Sequence, residues 1–258
     1  MKKYTCFFWL IAIATMVMAF VQGSPITLYM IGDSTMSVKS RKAYPETGWG
    51  MAFPAFFKNG VTVKDLALNG RSSKSFRKDV NEAKATTVDH WQPILDALKP
   101  GDYVMIEFGH NDEKKDKPLV GTTVDEFKAN LAQYVQETRD HKAFPILLTP
   151  IVRRAFKGGV LQDTHVPYAD AVRRVADSLN VPLIDMQKST AKLVGGLGDQ
   201  ASIELYNYVD SGNVNYPKGK KDDTHLSPKG ADEFAYLAAE GLKLLHLPLS
   251  DYVELKKR

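Results

Sequence analysis

Five short runs of aliphatic and β-branched residues punctuate the chain, at residues 26–31, 61–68, 103–108, 145–149 and 181–186. Between them the pattern changes to a helical period, and this alternation predicts a parallel sheet with helices on both faces. Thr123-Val124-Asp125-Glu126 carries the start signal of one helix, with Phe127, Leu131, Tyr134 and Val135 recurring on one side. Residues 167–179 repeat that spacing with Ala171, Val172 and Val175, and Ser227-Pro228 opens a last helix with serine at the cap and proline in the first turn. No internal repeat interrupts the order. The stretch 195–223 is the exception: rich in Gly, Asn, Tyr and Lys, it reads as a long loop, a feature that compact domains reserve for function or disorder.

The chemistry gathers where the strands end. The first run leads into Gly32-Asp33-Ser34-Thr35, the second into Asn69-Gly70-Arg71-Ser72-Ser73, and the third into Gly109-His110-Asn111-Asp112. In a parallel sheet these turns open on one edge. Alone, the first is equally a turn capping a helix, with Gly32 allowing the sharp bend. Beside the other two, Ser34 becomes a candidate nucleophile facing donors for an oxyanion: its own N–H, the N–H of Gly70 and the amide of Asn111. Near the C-terminus Asp222-Asp223-Thr224-His225 offers a base, since three-residue spacing brings the Asp222 carboxylate back to the His225 imidazole. Asp223 is wrongly placed for that contact.

Together, Gly32-Asp33-Ser34, Gly70, Gly109-His110-Asn111-Asp112 and Asp222-x-x-His225 resemble the four sequence blocks of the SGNH, or GDSL, hydrolases. Thr47-Gly48-Trp49-Gly50, residues 69–76 and residues 101–112 further resemble the rhamnogalacturonan acetylesterase branch, and the likeness runs from about residue 26 to the last helix. It implies a three-layer α/β/α fold, a flavodoxin-like, doubly wound sheet of five parallel strands. It also implies a serine esterase without cofactor or metal. On this resemblance Ser34 is the nucleophile, His225 the base and Asp222 its orienter, with Ser34, Gly70 and Asn111 forming the oxyanion hole. The implied substrate is an acetylated plant polysaccharide, most closely rhamnogalacturonan. A lipase, lysophospholipase, thioesterase or xylan acetylesterase of the same fold, and a non-catalytic carbohydrate-binding protein, are the alternatives.

Pectic backbones carry uronates, so cations at the active edge are candidate substrate readers. Arg71 either meets a substrate carboxylate or clamps its own loop; Arg153 and Arg154, after the fourth run, either do the same or solvate a loop. Tyr216, with Tyr206, Tyr208, Lys218, Lys220 and Lys221, either walls a sugar cleft or packs the long segment. Trp49 reads as core beneath the edge. His165, on the loop after the fourth run, either reaches the site or, as lone loop histidines more often do, faces solvent, and His90, His141 and His246 show no metal-ligand spacing.

Composition narrows the setting. At 258 residues with a formal charge of +4, the chain suits one α/β domain, here 24–258, and carries no nucleic-acid signature. Residues 1–23 pair Lys2-Lys3 with an apolar run ending in Val21-Gln22-Gly23, the pattern of a cleaved secretory signal, which implies a secreted or periplasmic protein with no stable membrane association. The single cysteine, Cys6, falls within that segment, so thiol chemistry is not expected of the mature protein. Oligomeric state has no sequence signal.

Overall fold

The computed structural model describes residues 25–255; the expected signal segment and Cys6 lie outside the described residues. Five parallel strands form the central sheet: β1 (Ile26–Gly32), β2 (Val61–Asp65), β3 (Tyr103–Glu107), β4 (Phe144–Leu148) and β5 (Leu183–Ile184), in the spatial order β2-β1-β3-β4-β5. The order reverses between β1 and β3, and at such a switch point the chain leaves two neighbouring strands in opposite directions and opens a crevice beyond their carboxyl ends. Gly32 is opposite Glu107 in the β1–β3 register, so Ser34 and Gly109 both enter that crevice.

Side-chain alternation on β1 builds the layers. Leu28 and Met30 pack into one core with Trp49, Phe53, Ile184, Phe234 and Leu242, while Tyr29 and Ile31 pack into the other with Phe76, Trp91, Phe127 and Tyr134. The main helices are α1 (Val124–Asp140), α2 (Val166–Ser178), α3 (Met186–Ala201) and α4 (Pro228–Leu244). Helix α1 opens with the expected capping box, in which Thr123 accepts from the Glu126 N–H and Glu126 accepts from the Thr123 N–H. Its buried face includes Phe127, Leu131, Tyr134 and Val135. Helix α4 begins at Ser227, whose hydroxyl accepts from the Gly230 N–H at 3.1 Å. Among the described residues, no helix is long and apolar enough to cross a membrane.

Three local expectations are corrected. The second run leaves regular strand at Asp65, whose carboxylate takes the Ala67 N–H, although Leu66 and Leu68 still donate to the β1 carbonyls of Met30 and Gly32. The fifth run shortens to two strand residues because Pro182 has no N–H to give and Asp185 already caps α3. The expected loop 195–223 is largely structured: α3 runs through Gly195 and Gly196, breaks at Gly198 (φ 77°), and is followed by a one-turn helix and a ribbon pairing Val209–Ser211 with Lys218–Lys220. Burial of Met186, Thr190 and Val194 overrides the poor helical propensity of the glycines.

Candidate active site

Ser34 sits half-buried in the turn after β1. Asp33 closes that turn, its Oδ1 accepting from the backbone N–H and the hydroxyl of Thr35, both at 2.9 Å. Asp33 therefore does the turn-forming work of the motif and leaves Ser34 at its apex. Gly32 is not a bend residue: it is in the strand, and a Cβ there would meet the Glu107 carbonyl at 2.6 Å, so glycine is required by the close approach of β1 and β3.

The structure brings Ser34, His225 and Asp222 into one hydrogen-bonded series. Ser34 Oγ is 2.9 Å from His225 Nε2, and His225 Nδ1 is 2.9 Å from Asp222 Oδ2. With an ionised carboxylate on Nδ1, that nitrogen carries the proton, and Nε2 accepts from the serine hydroxyl. Asp222 Oδ1 meanwhile accepts from the N–H groups of Thr224 (2.9 Å) and His225 (3.0 Å), so the carboxylate and the imidazole are held in one tight turn. Burial alone would push the Asp222 carboxyl up; the hydrogen bonds from His225 and Thr224 outweigh it and hold Asp222 well below the usual carboxylate range. Asp223 faces elsewhere, accepting from Arg154 and Tyr208, both at 2.7 Å. The His225 segment is itself anchored, its carbonyl accepting from Asn207 N–H at 2.8 Å and that of Leu226 from Thr47 N–H at 3.0 Å.

The second and third turns flank the serine. Asn111 Nδ2 donates to the Arg71 carbonyl at 2.9 Å while its Oδ1 accepts from Lys114 Nζ at 2.6 Å, which fixes the amide's orientation and leaves its second N–H open. Gly70 lies between Arg71, thus anchored, and Asn69, whose side chain accepts from Ser37 Oγ at 2.7 Å and Lys39 Nζ at 2.6 Å. Gly70 has φ 75°, a conformation that favours glycine, and a Cβ there would meet nothing within 4 Å. Its outer face is open to a ligand. Asp112 binds the two turns together by accepting from Ser73 N–H, Ser73 Oγ and Thr122 Oγ1; burial pushes it up to about 7.

One group escaped sequence reasoning. Lys39, its side chain only 2% exposed, donates to the Ser34 carbonyl and to Asn69, and pairs with Glu46 at 3.0 Å. Glu46 also meets Lys220 at 3.2 Å, and Lys220 reaches Asp222 Oδ2 at 3.0 Å. An alternating chain of charge thus runs from beneath Ser34 to Asp222. Glu46, Asp222 and His225 cluster as a metal site's ligands do, but two ammonium groups already neutralise their carboxylates. In sequence, Lys39 hides in the run Val38-Lys39-Ser40-Arg41-Lys42, which looks like a solvated basic surface.

The other expected readers have partners of their own. Arg71 pairs with Asp79 and donates to the Asn69 carbonyl, so it clamps its loop. Arg153 pairs with Glu113 and reaches Thr224 Oγ1 at 3.2 Å; Arg154, buried rather than solvated, is forked between Asp199 and Asp223. Tyr206 and Tyr208 pack the segment through bonds to the Val152 carbonyl and Asp223. Tyr216 donates to the Ala43 carbonyl at 2.7 Å, with Lys220 over its ring, while Lys218 and Lys221 are exposed. His165 corrects the expectation of a solvent-facing ring: it is fully buried, 2.8 Å from Glu113 and 4.2 Å between centroids from His110. Burial, then the neighbouring His165, drives His110 down to about 4, so it is uncharged at neutral pH. Trp49 is fully buried as expected and donates through Nε1 to Glu107 at 2.8 Å.

Residues 30–232 match the model of the GDSL-like lipase/acylhydrolase family. The chain is 36% identical over 231 residues to rhamnogalacturonan acetylesterase RhgT of Bacillus subtilis, covering 89% of this chain and 94% of that one. It is 32% identical to the probable rhamnogalacturonan acetylesterase YesY of the same organism, covering 88% of this chain and 96% of that one. Its fold is similar to that of an acetylxylan esterase from Geobacillus stearothermophilus, at a TM-score of 0.59 and 20% identity, over 91% of this chain and 99% of that one.

Proposed function

Because the chain belongs to the GDSL-like lipase/acylhydrolase family and is a carboxylic ester hydrolase, we propose that it removes acetyl groups from rhamnogalacturonan through Ser34, His225 and Asp222. The observation that carries the chemistry is the unbroken series from Ser34 Oγ through both nitrogens of His225 to Asp222. Ser34 Oγ attacks the acetyl carbonyl as His225 Nε2 takes its proton, forming the C–O bond and a tetrahedral oxyanion. The N–H groups of Ser34 and Gly70 and the open N–H of Asn111 receive that charge. Collapse breaks the bond to the sugar oxygen, which leaves with the proton from His225. Water then attacks the acetyl-Ser34 ester with His225 again as base, releasing acetate and restoring the serine.

The substrate assignment is supported by the near-complete alignment with RhgT, whose name gives its substrate. A short acyl group also suits the surroundings. Two clefts of about 600 and 540 Å3 are lined by neither Ser34 nor His225, so neither serves this serine as the apolar channel a long acyl chain needs. The same reading makes the protein an extracytoplasmic enzyme, secreted or periplasmic. Acetate release measured in parallel from acetylated rhamnogalacturonan, homogalacturonan and xylan tests it. The expected order puts rhamnogalacturonan first, and preference for xylan or for long-chain acyl esters overturns it.

A further inference from the structure

With Arg71, Arg153 and Arg154 held by the protein's own carboxylates, recognition of an acidic sugar falls to another cation. Beside the nucleophile lies a cleft of about 300 Å3 whose inner wall is Lys39 and Glu46 and whose rim includes Arg41, Tyr44, Met51 and Asn215. Its size is at the lower end of ligand sites. The cleft adjoins the catalytic series directly. Lys39 bonds the Ser34 carbonyl, and an oxygen of Glu46 lies within 4.8 Å of ligand atoms of both Asp222 and His225.

Arg41 is exposed and has no acidic partner among the described residues, and Tyr44 is 60% exposed. These side chains project from a loop that is held still. Asn215 Nδ2 donates to the carbonyls of Arg41 (3.1 Å) and Tyr44 (2.7 Å), and the Tyr216 hydroxyl donates to that of Ala43 (2.7 Å). A pinned loop offering a free guanidinium and a flat apolar face has lost its ordering entropy before any ligand arrives. Lys39 and Lys220 already neutralise Glu46, so the inner wall does not repel an anion as a lone carboxylate does.

We infer that this cleft is a subsite for a uronate residue of the acetylated chain, with the carboxylate on Arg41 and a C–H face of the ring on Tyr44. The inference rests on the proposed pectic substrate and adds the residues that select it. Ser34 then reads the ester and Arg41 reads the charge of the uronate.

The test uses unacetylated trigalacturonate as a competitive inhibitor of aryl acetate hydrolysis by the full chain, with neutral xylotriose as control. Arg41→Gln is expected to leave aryl acetate kcat/KM unchanged and to raise the inhibition constant of trigalacturonate about five-fold, the factor for an exposed charged pair near the top of its range. Added salt weakens inhibition of the wild type and has little effect on that of the variant. Tyr44→Ala is expected to weaken trigalacturonate binding with aryl acetate turnover intact. Absence of inhibition in the wild type, or equal inhibition of wild type and Arg41→Gln, overturns the subsite even where acetate is released from rhamnogalacturonan. Arg41-dependent inhibition without acetate release from rhamnogalacturonan upholds the subsite and overturns the substrate assignment.

Discussion

Replacing Lys39 by methionine removes the ammonium group and keeps a similar apolar stem. Three acceptors each lose one donor: the Ser34 carbonyl, Asn69 Oδ1 and Glu46. Removing one partner of a buried ion pair costs about 3–5 kcal/mol. Here the lower end applies, because Glu46 retains Lys220 at 3.2 Å and Asn69 retains the Ser37 hydroxyl at 2.7 Å. The expected loss is about 3 kcal/mol, read as a lower urea midpoint. The kinetic effect arises separately, since the carbonyl of Ser34, the proposed nucleophile, and the residue preceding Gly70 lose a shared tether. Displacement of about 1 Å at a reacting group costs about 10²-fold, and kcat/KM for an aryl acetate is expected to fall by that factor. Lys39→Met/Glu46→Gln separates the two effects: neutralising Glu46 removes the stranded charge and restores part of the stability, while the rate stays low. If the single variant turns over within two-fold of wild type while its stability falls, Lys39 is only a packing residue and the tethering argument is wrong.

Asn111→Ala removes one of the proposed oxyanion donors and should lower kcat about 10²–10³-fold with KM little changed, checked by steady-state kinetics; a pure KM effect contradicts the role. Asp222→Asn, which favours the wrong imidazole tautomer, should cost about 10⁴-fold in kcat with the fold intact by circular dichroism. Burial pushes the Glu107 carboxyl up to about 8, so its contribution to stability is complete below the ordinary glutamate pKa and is lost as pH rises through about 8. Thermal midpoints measured between pH 5 and 9 should therefore fall with rising pH in the wild type. The slope should flatten in Glu107→Gln, and an unchanged slope assigns the effect to other groups.

The strands and their exits were legible because their signals are local. An apolar run ending in Gly32-Asp33-Ser34 or Gly109-His110-Asn111 states both the element and its boundary, and Asp222 and His225 meet within a single turn. What distant chain segments supply was not legible. The Lys39–Glu46–Lys220–Asp222 chain joins residues nearly two hundred positions apart, and nothing near Lys39 distinguishes it from the basic residues beside it. Arg71, Arg153 and Arg154 were placed on the active edge by their position after the strands, but Asp79, Glu113, Asp199 and Asp223 claim them only once the chain is folded. His165 is the same case, drawn inward by Glu113. Helix α3 was hidden by Gly195, Gly196 and Gly198, where tertiary burial prevails over propensity. Gly32 was recognised as necessary for a bend, whereas the structure requires it for strand contact.

The most direct test of the account is acetate release from acetylated rhamnogalacturonan by the wild type and by Ser34→Ala, compared at equal concentrations of folded protein. The wild type is expected to release acetate steadily, and Ser34→Ala to retain at most about one part in 10⁴ of that rate, the residue left by binding and the oxyanion donors alone. Comparable rates from the two proteins, or no release by the wild type from this polymer, would contradict the account.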